Sequence, residues 1–167
     1  SILPNIPYFA NDTFLKEDST KRFNNELITF SYVGGFSSDR CLQEIVSIAE
    51  RGIINLFIAG FGHQELEERL KIDTEKFPNI RYYGRVKYED GLIISYNSDI
   101  MYAMYQTFNP NNVYVAPNKY YEAMFLGKPL FTTKGTIVEK KVRDRKMGYV
   151  SGETEEDIAR LEGESLT

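Results

Sequence analysis

Apolar and polar positions along the chain repeat in one rhythm: a short β-branched and aromatic run, a glycine, then residues with helical spacing. Ile28-Thr29-Phe30-Ser31-Tyr32-Val33 stops at Gly34-Gly35 and predicts a buried strand entering a tight turn. Ser38 or Asp39 can cap a following helix, in which Leu42, Ile45, Val46 and Ala49 form one apolar stripe. Ile53 to Ala59 repeats the strand and ends at Gly60-Phe61-Gly62, ahead of a strongly charged helix carrying Leu66 and Leu70. Asn79 to Tyr83 gives a third strand ending at Gly84, before a helix with Tyr88, Leu92, Ile93 and Tyr96 assigned to one face. Asp99 to Met104 gives a fourth, and an Asn- and Tyr-rich loop from Gln106 to Ala116 follows. Leu130 to Thr133 is a fifth strand, Ile137 to Arg145 a helix, and Gly148-Tyr149-Val150 a short edge strand. A last helix starts at Asp157 and fades beyond Leu161.

Between the fourth and fifth strands lies the best-punctuated segment, Asn118 to Leu126. Asn118 reads as its N-cap, Gly127 as its end, and Pro129 forbids its return. Asn118, Lys119 and Glu122 share one side, and Tyr121, Met124 and Phe125 are expected to face a core. Alternation of strands and helices with short connections predicts a doubly wound α/β fold, a mostly parallel sheet with helices on both faces. Ligands of such sheets lie at the carboxyl ends of the strands, where Gly34-Gly35, Gly60-Gly62 and Gly84 should share a rim. The polar stretch over 1–26, with two prolines near its start, reads as a linker, and 27–167 as one domain. The abrupt ends suggest a piece of a longer protein.

Charge narrows the partners. The chain has 167 residues, with 20 Lys and Arg against 24 Asp and Glu, a formal charge of -4. That leaves no global positive field for nucleic acid, though a local basic pocket is allowed. Cys41 is the single cysteine, which excludes an internal disulfide and agrees with a reducing, cytoplasmic compartment. No run reaches the roughly 18 apolar residues of a membrane span, so no direct membrane insertion is expected.

The candidate chemistry is electrostatic. Neither G-x-G-x-x-G nor a Walker sequence occurs, so NAD and Walker-type ATP binding have no support. Arg40 and Lys119 both stand beside predicted strand ends, where two cations together could neutralise a diphosphate; each alone reads as a solvated surface charge. Glu122 could accept hydrogen bonds from the vicinal hydroxyls of a ribose, or simply pair with Lys119 one turn before it. His63, the one histidine, has no orienting partner in sequence and reads as a loop residue; no metal-ligand spacing occurs.

In order, Val33-Gly34-Gly35-Phe36 with Arg40, Phe57 to Gly62, Asn79 to Val86, Ser98-Asp99-Ile100, and Pro117 to Met124 with Gly127-Lys128-Pro129 resemble the C-terminal half of a family 4 glycosyltransferase. The resemblance runs from Ile28 to Leu161, and E-A-M-x-x-G-K-P is its most specific segment. It implies the donor-binding half of a GT-B enzyme, in which two Rossmann-like domains face each other across a cleft. The acceptor domain would precede Ser1, as about 150–200 further residues, and the segment at Pro4-Asn5 would be the interdomain linker. Glu122 matches the residue that holds the donor ribose and Arg40 the one that meets the diphosphate, while Gly84, Arg85 and Val86 match the stretch against the base. Gly34 and Gly35, with Asn118 and Lys119, complete the expected diphosphate site, and Gly62, His63 and Tyr114 are further candidates. The chemistry implied is transfer of a sugar from a nucleotide sugar, with retention and without a metal, to a glycan or lipid-linked acceptor in surface polysaccharide assembly. Any peripheral membrane contact would belong to the other domain, and this half alone should be inactive.

Two positions depart from the family pattern. Tyr114 stands where an acid is expected eight residues before Glu122, and Gly35 where a basic residue often follows the first glycine. A nucleotide-sugar 2-epimerase sharing the two-domain plan is an alternative, as is a non-catalytic nucleotide-binding or partner module. A receiver-like domain needs acids where Gly34 and Gly35 stand.

Overall fold

The computed structural model describes residues 26–114 and 117–160, with the backbone alone at 164–165. The linker over 1–26 lies outside the described residues except for Glu26, as do Ala116 and Leu161. Strands are β1 Thr29–Gly35, β2 Asn55–Phe61, β3 Ile80–Tyr82, β4 Ile100–Ala103, β5 Leu130–Thr133, β6 Gly148–Ser151 and β7 Glu164–Ser165. Helices are α1 Leu42–Glu50, α2 Gln64–Lys76, α3 Tyr88–Tyr96, α4 Pro110–Tyr114, α5 Asn118–Leu126, α6 Ile137–Arg145 and α7 Glu155–Ala159.

The sheet runs β3-β2-β1-β4-β5-β6-β7, and β1 to β6 are parallel. Only β7 is antiparallel, and because it pairs with β6 the latter is not the edge that its short apolar run suggests. Alternation along β4 divides the interior: Ile100 and Tyr102 join the layer under α1 and α2, with Phe30, Tyr32, Leu56 and Phe131. Met101 and Ala103 join the layer under α3, α5 and α6, with Leu92, Tyr120, Leu126 and Val142. Helices therefore cover both faces, in the doubly wound plan.

Five helix details differ from the sequence reading. Ser38 and Asp39 do not cap α1. They form a 3-10 turn, and Cys41 in left-handed conformation (φ 52°) joins it to the helix. Asn118 does not cap α5 either; Pro117, extended at ψ 160°, holds the cap position and Asn118 is the first helical residue. Proline's fixed φ suits an entry to a helix and cannot be read from a preference scale for polar caps. The buried face of α5 is Tyr120, Ala123 and Leu126, while Tyr121 and Met124 are exposed. On α3, Leu92, Ile93 and Ile94 are buried and Tyr88 and Tyr96 exposed, because amphipathic tyrosines tolerate the helix ends. Within the loop read over Gln106 to Ala116, Pro110 starts the short helix α4.

Candidate functional site

Strand order reverses between β1 and β4, so the connections leaving these neighbours diverge to opposite faces and open a crevice at their carboxyl ends. Gly34 is paired with Gly60 across β1 and β2, and a Cβ on Gly60 would stand 1.8 Å from the Gly34 carbonyl oxygen. Only glycine lets the strand ends close this far. The Gly60 N–H donates at 2.8 Å to the Gly84 carbonyl, so the three glycine turns do share one rim.

Two cations reach this rim. Lys119, on the first turn of α5, donates from Nζ to the Val33 carbonyl of β1, and the ammonium lies 4.7 Å from the centre of the Tyr32 ring. Burial, reinforced by the Arg40 charge and opposed by Glu122, lowers its pKa to about 8. Arg40 leaves β1 by the 3-10 turn and is held at three points: Asp39 Oδ1 at 2.8 Å, Asn112 Oδ1 at 3.4 Å, and the Tyr105 ring at 4.5 Å.

Asp39 anchors the set. Its buried carboxylate accepts from Ser37 Oγ at 2.5 Å, Asn112 Nδ2 at 2.8 Å and Asn109 Nδ2 at 3.1 Å. Burial alone would raise its pKa, but these donors and the Arg40 charge bring it down to about 2. Burial pushes the Tyr32 hydroxyl up to about 12 and raises that of Tyr105 as well; Tyr32 donates a hydrogen bond to the Gly35 carbonyl at 2.6 Å. Sequence reading missed Asp39, Asn109, Asn112 and Tyr105. For Asn109, Asn112 and Tyr105 the one visible signal is the density of Asn and Tyr after β4; Asp39 has none.

Glu122 sits one turn along α5 from Lys119, but the ammonium bonds to Val33 rather than to it. Its carboxylate instead meets the hydroxyl of Tyr88, whose pKa is raised by burial and then by the Glu122 charge and hydrogen bond. Tyr88 is 63% exposed, so the carboxylate keeps a polar, accessible neighbourhood. Asn118 is exposed at the start of α5, which has no side-chain cap.

On the β2 and β3 side, Gly84 is left-handed (φ 69°) and the Arg85 guanidinium lies 4.4 Å over the Phe61 ring, while Val86 packs against Phe57, Ala59 and Ile94. Gly62 N–H donates to Glu67 Oε2 at 3.3 Å. His63 caps α2, its Nδ1 accepting from the Leu66 N–H at 3.2 Å, a structural task that fits the loop reading. Tyr114, at the end of α4, is 78% exposed; the same helix contributes Asn112 to Arg40 and Asp39. No group of three or more His, Cys, Asp or Glu is placed to hold a metal among the described residues, and none of the described helices is long and apolar enough to cross a membrane. Held cations, a carboxylate beside an exposed tyrosine and glycine backbones are thus gathered at a switch point, groups with the chemistry to bind an anion bearing hydroxyl groups.

No protein-family profile matches the chain, and no curated protein matches it in sequence. Solved structures share its fold. WaaG, a glycosyltransferase involved in lipopolysaccharide biosynthesis, superimposes with a TM-score of 0.63 at 16% identity, over 97% of this chain and 43% of WaaG. Sucrose-phosphate synthase from Thermosynechococcus elongatus gives 0.62 at 14% identity, over 89% of this chain and 38% of the synthase. The UDP-GlcNAc 2-epimerase of Methanocaldococcus jannaschii, solved with UDP-GlcNAc and UDP, gives 0.58 at 13% identity, over 93% and 42%. The chain thus spans less than half the length of these structures, and its fold is the Rossmann-like one found in GT-B glycosyltransferases.

Proposed function

We propose that the chain is the donor nucleotide-sugar-binding domain of a retaining, family 4 glycosyltransferase. The observation that carries this reading is the convergence of Arg40, Lys119 and Glu122 on the carboxyl end of β1 at the switch point. Lys119 and Arg40 take the diphosphate and the Gly34-Gly35 backbone admits it closely. Glu122 accepts from the ribose hydroxyls, and the base lies along Gly84, Arg85 and Val86. As the glycosidic bond opens, charge gathers on the leaving diphosphate, and the two preorganised cations stabilise it there in place of a metal. The acceptor, a glycan or lipid-linked sugar in surface polysaccharide assembly, is held by a second domain of the same cytoplasmic protein; this chain alone binds donor but transfers nothing.

Calorimetry of the chain with UDP, GDP and ADP tests the reading. One diphosphate should bind, and Glu122→Ala should weaken it by about 1.5–3 kcal/mol through the lost charged hydrogen bonds. Affinity should also fall as pH rises through about 8, where Lys119 loses its proton, and Lys119→Ala should abolish that step. Failure of every nucleoside diphosphate to bind favours a partner module instead. The epimerase among the structural neighbours supports a second reading, separated by product analysis of the intact protein.

A further inference from the structure

At the amino ends of the strands, opposite to the ends that form the switch-point rim, a second cationic site lies where α5 and α6 end and β5 and β6 begin. A cavity of about 500 Å³ is lined there by Lys128, Arg145 and Lys146, with Met124, Met147 and Tyr149 among its walls and no carboxylate. An adjoining cavity of about 540 Å³ shares Met124 and Arg145 and adds Lys141, together with one carboxylate, Asp144. A chain of net charge -4 has gathered four cations here. None has an ion-pair partner among the described residues; Lys128 and Lys141 rest on the rings of Tyr96 and Tyr120, at 5.1 and 5.6 Å.

The helix ends do not need these side chains as hydrogen-bonding caps. Lys128 N–H returns to the Ala123 carbonyl at 2.9 Å, and Met147 N–H to Val142 at 3.1 Å, so the backbone closes both final turns itself. The two ends share one geometry but differ in one residue. Gly127 (φ 66°) takes the left-handed position after α5, whereas Lys146 (φ 51°) takes it after α6. A lysine is disfavoured in that conformation relative to glycine, yet it keeps a cation on the cavity.

We propose that this cavity binds a phosphate ester, the phosphate held by Arg145, Lys146 and Lys128 and its apolar body by Met124, Met147 and Tyr149. The phosphate can be that of a soluble ester or of an anionic lipid headgroup, and two arms separate them. In the first, inorganic phosphate is titrated while backbone amides are followed by NMR, with shifts expected at Gly127, Met147 and Gly148. In the second, co-sedimentation with vesicles of phosphatidylglycerol and phosphatidylcholine is compared with phosphatidylcholine alone. Capture by the anionic vesicles without phosphate shifts assigns a headgroup, phosphate shifts without capture assign a soluble ester, and both results together support the site. In whichever arm responds, Arg145→Gln and Lys146→Gly should each weaken binding about five-fold, as for one cation near an anionic surface. Lys146→Gly should at the same time raise the thermal midpoint by relieving the left-handed lysine. That combination separates lost binding from damaged folding. Silence in both arms overturns the proposal, as do shifts confined to Gly34, Arg40 and Lys119, or binding that survives both substitutions.

Discussion

Asp39 shows at the scale of one residue how the glycine-lined rim is held. Next to Arg40 in sequence it looks like a helix cap, but Asn109 and Asn112, 70 and 73 positions away, fold back to donate to it. Its carboxylate is thus the buried hub of the rim, and the sequence offers no local signal for that long-range use. Replacing it by Asn leaves Arg40 without its counter-charge and should cost about 1–3 kcal/mol in urea unfolding. The pH dependence has a definite sign. Asp39 titrates near 3.8 when unfolded and near 2 when folded, so its stabilisation is complete above about pH 4 and lost as pH falls toward 2. The loss should reach about 2 kcal/mol in the parent, and the stability of Asp39→Asn should be flatter across that window.

Among the elements, α5 was the most legible because glycine and proline act through local sterics: Gly127 ends it in the left-handed conformation, as its position before Pro129 suggests. Its buried face was not legible, since three phases of a nine-residue helix containing Tyr120, Tyr121, Met124 and Phe125 all look apolar. The α1–α2 seam was hidden for a different reason, being built from charges that read as solvated. Arg69 grips Glu50 with two hydrogen bonds of 2.8 Å and reaches Gln43 and Ser47, while Asp73 lies 3.9 Å from its Nε. Burial, then the hydrogen bond and charge of Glu50, raise the Asp73 pKa; Arg69 keeps that of Glu50 low, so a shared proton resides on Asp73. Unfolded Asp73 ionises near pH 4 but the folded residue does so only well above that, so this seam loses stability as pH rises. Asp73→Asn should be close to neutral at pH 4 and stabilising by about 1 kcal/mol at pH 8, measured by urea unfolding at the two pH values.

For the whole molecule, alternation of strands and helices foretold a parallel sheet, but the order β3-β2-β1-β4-β5-β6 places the site, and hydrophobic pattern is blind to it. That order brings the ends of β1 and β2 against each other at Gly34 and Gly60, so the proposed function links stability and ligand binding through one close approach. A Cβ at Gly60 would have to push the Gly34 carbonyl aside from 1.8 Å, splaying the strands beneath the proposed diphosphate site. Gly60→Ala should therefore cost about 3 kcal/mol, and the remaining fold should respond poorly to donor. In the parent, a nucleoside diphosphate at a hundred times its Kd should add about 2.7 kcal/mol, a rise in thermal midpoint of about 5–10 °C for a domain of this size. Glu122→Ala should keep the parent's midpoint without ligand and show a smaller rise at the same ligand concentration. Gly60→Ala should lose both the midpoint and the rise, and a full ligand response in it would show that the donor site does not depend on the β1–β2 approach.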